Sequence, residues 1–175
     1  VSELQKIRLY LNFDMIASPN FVYAIYDGDG SAFGTSGPPG SGEVEKLFED
    51  YLTNDAGLPH IPSEFDGRSD YGPFLDAGIA SGGLDAGADG TKTVEEQALF
   101  GGTAGITYDE NYHSAKDTVS NLNLGAWIQN VKGVAHAVAT YGTSWAGFPP
   151  NQVTLKKRDT AAAAARLRSG GKYQY

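Results

Sequence analysis

Strands alternating with helices predict an α/β layered fold for these 175 residues. Three features carry that expectation. Residues 7–16 alternate, with Ile7, Leu9, Leu11, Phe13 and Met15 on one face and Arg8, Tyr10, Asn12 and Asp14 on the other, which is the period of a strand. Residues 43–55 place Val44, Leu47, Phe48, Tyr51 and Leu52 at helical spacing until Gly57 and Pro59 stop the run. The run GIASGGL, within residues 75–84, is small and apolar, as in a short buried strand.

The other elements follow in order. Residues 21–28 read as a second strand, and residues 30–42, rich in Gly, Ser and Pro, as a loop. Residues 93–100 predict a short helix. A long helix is expected from a cap at Thr118 or Ser120 to about Tyr141, with an apolar stripe of Leu124, Trp127, Ile128, Val131, Val134, Ala135 and Val138. Residues 1–150 read as part of a single domain, and residues 151–175 as a basic, alanine-rich tail. The alanine run lacks an apolar stripe, so the tail is expected to be flexible and solvated; a basic contact arm is the alternative.

Composition narrows the function classes. Net charge is −8, but residues 154–175 hold six of the thirteen Lys/Arg and one acid, Asp159. That stretch carries +5 and the rest carries −13. A body so acidic repels phosphate backbones, which argues against a nucleic-acid partner. No apolar run approaches a membrane span. Glu3, Lys6 and Arg8 interrupt the apolar positions of residues 1–15, so a secretion signal, if one exists, is expected upstream. The chain has no cysteine, which excludes disulfides and leaves only His, Asp and Glu as metal donors.

A few residues break the local pattern. Asp14, a carboxylate after an apolar strand, is either buried and paired, a metal ligand, or a turn residue. His113 stands in the polar loop TYDENYHSAKDT, where a neutral imidazole suits zinc. His136, in the long helix, reads as structural, and His60, in LPHIP, as a surface residue. The cluster FDGRSDYGPF gathers Asp66, Arg68, Asp70 and Tyr71; it is either a loop held by its own Arg–Asp pairing or a substrate contact. DGDG at residues 27–30 offers two carboxylates that calcium would accept. Without the rest of a binding loop it reads as a simple turn, so calcium has no further support.

Five segments in order resemble one family: LNFDMI, FDGRSDYGPF, GIASGGLDAGADGTKT, FGGTAG and YDENYHSAKDT. Across roughly residues 5–145 the chain is similar to the M28 zinc aminopeptidases of the secreted bacterial and fungal branch. The resemblance implies a three-layer αβα fold of zinc-peptidase type with a mixed, mostly parallel sheet, represented here by its C-terminal portion. It implies two zinc ions, with Asp14 and His113 as ligands to different metals, and a peptide substrate with a free N-terminus. Two metals suit carbonyl polarisation and a hydroxide near neutral pH. Tyr112 matches the tyrosine that donates to the tetrahedral intermediate, and Arg68 the residue whose backbone carbonyl helps hold the substrate amino group. Asp14 would also face that amino group, and Met15 would line the side-chain pocket.

Two departures from the family stand out. Asn111 and Lys116 occupy positions where relatives often carry cysteines, so no disulfide pins the Tyr112–His113 loop. Asp85 stands where relatives often place an aromatic, which is expected to shift preference from leucine-like towards basic or polar residues. The remaining ligands and the general base have no match here. The chain by itself is therefore expected to bind no zinc tightly and to be inactive, as a fragment or as a subunit that joins its own N-terminal half. Secretion is implied by the resemblance alone. The alternatives are a non-catalytic M28-like interaction domain and a glutaminyl-cyclase-like enzyme on the same fold.

Overall fold

A computed structural model of the chain describes residues 3–150. The basic tail expected at residues 151–175 lies outside the described residues. Among the described residues, four strands form one mixed sheet in the order β1-β4-β2-β3: β1 (Leu9–Asn12), β2 (Ala24–Tyr26), β3 (Ile61–Ser63) and β4 (Ala80–Asp85). β1 runs parallel to β4 and β2 parallel to β3, while β2 and β4 are antiparallel. The sheet is therefore mixed and mostly parallel, as expected; β1 and β2 are shorter than the stretches read as strands, and β3 begins within LPHIP, where no strand was expected.

β4 is the centre of this arrangement, and its composition explains why. Gly82 leaves space that Val44 of α1 (Ser41–Asp50) fills, and a side chain there would overlap Val44. Gly83 adopts φ 154 beside Asn12, its register partner, whose carbonyl a Cβ would strike. Both contacts require glycine. Val44, Phe48, Ile25 and Leu84 then close the core beneath α1.

Helices cover both faces. Leu9 and Leu11 pack towards the core with α1, whereas Tyr10 points the other way and stacks on Phe74 of α2 (Gly72–Asp76), 3.9 Å between centroids. The stretch predicted as one helix over residues 43–55 is α1 followed by a wider helical turn, Tyr51–Ala56, which Gly57 ends at φ 65. α3 (Val94–Phe100) starts with a complete capping box: Thr93 accepts from Glu96 N, and the Glu96 carboxylate accepts from Thr93 N. Among the described residues no helix is long and apolar enough to cross a membrane.

The long helix α4 (Leu124–Thr143) departs from expectation twice. Its cap is Asn123, whose Oδ1 accepts from Ala126 N at 3.1 Å. Thr118 instead precedes a separate three-residue turn, Val119–Asn121, which also contains Ser120; extended backbone at Leu122 divides that turn from α4. The expected apolar stripe is not the packed face either. Leu124, Trp127, Ile128, Val131, Ala135 and Val138 are exposed, while Ala126, Asn130, Gly133 and Ala137 are buried. The reason is proximity: a Cβ at Gly133 would lie 3.2 Å from Leu84 Cδ1 and 3.5 Å from the Tyr51 ring. At Gly133 there is little room for a side chain between α4 and its neighbours.

This packing predicts opposite outcomes on the two faces of α4. Gly133→Val should lower unfolding free energy by about 1–3 kcal/mol through overpacking. Val131→Ser and Val138→Ser should each stay within about 0.5 kcal/mol. Urea titrations of the three variants measure this, and the reverse ranking would restore the apolar stripe as the core face.

Candidate functional site

The parallel strands β1 and β4 end side by side, and a pocket of about 200 Å³ opens beyond their carboxyl ends. At the end of β1, the buried Asn12 donates from Nδ2 to Ser69 Oγ (3.0 Å), and Ser69 Oγ donates to Asp14 Oδ2 (2.9 Å). Asp14 is exposed at the pocket wall, so the buried, paired carboxylate considered as one reading is not what the structure holds. Met15 follows at φ 50, and its carbonyl accepts from Ala86 N at 2.7 Å. That bond ties the exit of β1 to the exit of β4.

Asp85 closes β4. Its Oδ1 accepts from Gly87 N (2.8 Å) and its Oδ2 from Ser63 Oγ (3.1 Å). Burial raises its pKa above the usual carboxylate range, the charges of Asp14 and Asp66 add to the rise, and the two hydrogen bonds oppose it. A third wall comes from residues 65–74. Asp66 Oδ1 accepts from Arg68 N (2.9 Å) and from the Tyr71 hydroxyl (2.7 Å), which itself accepts from Gly67 N. The Arg68 guanidinium reaches Asp89 Oδ1 at 2.9 Å, with both side chains about half exposed. Arg68 thus both lines the pocket and belongs to a loop-closing ion pair.

The fourth wall is the loop bearing Tyr112 and His113. Tyr112 lines the pocket, and the His113 ring stacks on it at 3.9 Å between centroids, itself exposed and outside the wall. His113 has φ 54. Among the described residues, the non-glycine residues with positive φ are His113 and Met15, the neighbour of Asp14. Strained backbone of this kind persists where the surroundings over-determine it. Here the surroundings are polar. Asp109 Oδ1 accepts from Asn111 N (2.8 Å) and Asn121 Nδ2 (2.9 Å), and Asn111 Nδ2 donates to Asn121 Oδ1 (2.6 Å). Asn111 is therefore pinned by hydrogen bonds, without a disulfide.

The pocket thus brings together Asp14, Met15, Arg68, Asp85 and Tyr112, with His113 against its rim. It is strongly acidic: among the described residues, Asp14, Glu64, Asp66, Asp85 and Asp89 line it against one base, Arg68, already paired. Ser69, Glu64, Asp89 and Tyr108 escaped the sequence reading. Ser69 had a signal in the FDGRSDYGPF cluster; nothing in the sequence marks Glu64, Asp89 or Tyr108 as wall residues. An Asp carboxylate and a His imidazole are donors that zinc takes. Two donors fall short of the three that a catalytic zinc draws from protein, and among the described residues no third His, Asp or Glu converges on either.

Comparison with known proteins decides the family. The family profile described as Peptidase family M28 matches residues 1–138. The chain belongs to peptidase family M28. Relatives include a leucine aminopeptidase 2 of Arthroderma otae, 51% identical over 169 residues, 97% of this chain and 34% of the relative. A probable leucine aminopeptidase 2 of Aspergillus oryzae is 56% identical over 153 residues, 87% of this chain and 31% of the relative. This M28 chain thus spans about a third of the length of the relatives it matches. The fold matches that of a zinc aminopeptidase from Bacillus subtilis at 16% identity and TM-score 0.54, over 89% of this chain and 33% of that one.

The Asp85 environment of this M28 chain gives a sign-definite pH prediction. A carboxyl raised by the fold carries no penalty below its ordinary value near 3.8 and destabilises the metal-free chain as pH rises through the raised value. Asp85→Asn can keep the acceptor for Gly87 N without the charge. It should raise Tm by about 2–4 °C at pH 7, the effect of about 1 kcal/mol in a chain of this size. The gain should vanish near pH 3. Scanning calorimetry at both pH values checks this, and an equal difference at both would be inconsistent with it.

Proposed function

We propose that this M28 chain forms part of the active site of a secreted, zinc-dependent aminopeptidase that removes N-terminal residues from peptides. The observation that carries this reading is the acidic pocket at the paired ends of β1 and β4, with Asp14 and Tyr112 in its walls, His113 at its rim and strained backbone at Met15 and His113. Five wall carboxylates against one paired base suit a positively charged group, and a free α-ammonium is what distinguishes a peptide's N-terminus. The relatives' names, leucine aminopeptidase 2, point to the same activity.

In this reading Asp14 and His113 each hold one of two zinc ions. The metals, when bound, supply Lewis-acid polarisation of the scissile carbonyl and an acidified water. The other donors and the general base come from a region equivalent to the two thirds of the relatives that this chain does not match. The chain's own residues do the rest. Tyr112 O–H donates where negative charge develops on the carbonyl oxygen. Ser69 fixes the orientation of Asp14, whose carboxylate also faces the substrate ammonium. The Arg68 carbonyl accepts from that ammonium, while the Arg68–Asp89 pair keeps the loop closed. Met15 lines the space for the first side chain.

A chimera tests the reading. Residues 1–150 replace the matching third of the Arthroderma otae relative, and hydrolysis of leucine anilide is followed. The chimera should turn over, and Asp14→Ala and His113→Ala should abolish activity and zinc retention. Tyr112→Phe should lower kcat about 10²–10³-fold. The 175-residue chain alone should retain no zinc and cleave nothing. Full turnover by the Asp14→Ala chimera, or by the isolated chain, would sink the proposal.

Asp85 offers a separate test in the same chimera. Its carboxylate should favour arginine and lysine anilides over leucine, by about tenfold in kcat/KM at pH 8. Asp85→Phe should reverse that order, since one changed pocket contact is worth about 1–3 kcal/mol. An unchanged preference between the two chimeras would remove Asp85 from substrate selection.

A further inference from the structure

The sequence DGDG at residues 27–30, read above as a simple turn, gains a third carboxylate in the fold. As the chain leaves β2, Asp27 is 1% exposed. Its Oδ2 accepts from Ala32 N (3.2 Å) and Phe33 N (2.8 Å), while its Oδ1 is buried and, among the described residues, has no hydrogen-bond partner. Glu45 reaches the same place from α1, itself buried, and its Oε2 accepts from both Gly28 N and Asp29 N at 2.9 Å. One carboxylate oxygen each from Asp27, Asp29 and Glu45 lie within 4.8 Å of one another. None of the three lines the pocket described above.

Three features of the cluster point to a ligand. The orphaned Oδ1 is the first. A buried acceptor without a partner forfeits its hydration, about 1–3 kcal/mol and more when charged, so something is expected to satisfy it. Second, the charges are uncompensated: among the described residues no ion pair involves Asp27, Asp29 or Glu45, and nearby Lys46 pairs with Asp50 instead. Third, the spacing suits a hard cation. Oxygens bound to calcium at about 2.3–2.6 Å lie at most about 5 Å apart, and calcium accepts irregular oxygen shells completed by water. Magnesium demands a tighter octahedron, and a purely carboxylate set gives softer metals no nitrogen or sulfur.

We propose that Asp27, Asp29 and Glu45 bind one calcium ion, which fastens the 27–40 loop to α1. The ligand missing from the local sequence is supplied from α1, sixteen residues beyond Asp29. With Oε2 held by the two backbone N–H groups, Glu45 is already oriented, so little ordering remains when the ion enters. Binding to the folded state stabilises it in proportion to the logarithm of the calcium concentration above Kd.

Calcium is titrated calorimetrically into the metal-stripped 175-residue chain, in material that shows a cooperative melt. One equivalent should bind, and Tm should climb with calcium. Asp29→Asn, an exposed position outside the pocket, should weaken binding at least about tenfold while leaving the calcium-free melt in place. Asp27→Asn, at the orphaned oxygen, should do the same. No heat and no Tm shift up to about 10 mM calcium, beyond the range of weak extracellular calcium modules, would overturn the proposal. Equal affinity in wild type and Asp29→Asn would place the ion elsewhere and overturn it too, as would tighter binding of magnesium than of calcium.

Discussion

The rest of the structure depends on how closely β4 lets its neighbours approach. With hydrogen in place of a side chain, Gly82 admits Val44 of α1 on one face, and Gly83 admits the backbone of β1 at Asn12. Leu84, one step on, meets Ile25 in register and α4 at Gly133. Those contacts hold β1 and β4 parallel with their ends aligned, and that alignment delivers Asp14 and Asp85 to one pocket. Add a methyl at Gly83 and the clash with Asn12 separates the strands. The core contact and the pocket would fail together.

Electrostatics then sets the character of the pocket. Most acids in its wall are held by donors, not by bases: Asp14 by Ser69, Asp85 by Gly87 and Ser63, and Asp66 by Arg68 N and Tyr71. Neutral donors orient a carboxylate while leaving its charge uncancelled. A wall built this way keeps a net negative field, whereas a wall of ion pairs would not. The one base, Arg68, is turned onto Asp89, so its charge does not offset Asp14 or Asp85. Burial raises the pKa of the Tyr71 hydroxyl, with the Asp66 carboxylate adding to the rise; the phenol stays protonated and remains a donor.

Much of this was legible in the sequence because it is local. Alternation found β1, helical spacing found α1, and GIASGGL found β4. Resemblance supplied Asp14, Met15, Arg68, Asp85, Tyr112 and His113, and five of these meet in the pocket. What escaped is what depends on distance between elements. The α4 stripe misled because periodicity finds an apolar face but not the gap that face must fit; at Leu84 and Tyr51 the gap takes Gly133, and Ala137 is buried where Val131 and Val138 are exposed. Ser69 stands between Asn12 and Asp14 only once two loops are folded together. Glu45 is sixteen residues from Asp29, and no local motif joins them.

The loop carrying Tyr112 and His113 shows how a position can stay fixed without covalent closure. A disulfide constrains mainly the unfolded chain. Asp109, Asn111 and Asn121 instead act in the folded state, through a buried acceptor that takes two donors and an amide pair that cross-links the loop to the turn before α4. Asp109 N also donates to Ala88 O, and Tyr108 N to Gly90 O, so the same loop is bonded to the chain leaving β4. The φ of 54 at His113 is thus imposed from both sides. Hydrogen bonds of this kind are lost together when the loop opens, because each orients the partner of the next. The proposed histidine donor therefore owes its placement to the exit of β4, the same strand whose glycines set the place of Asp14.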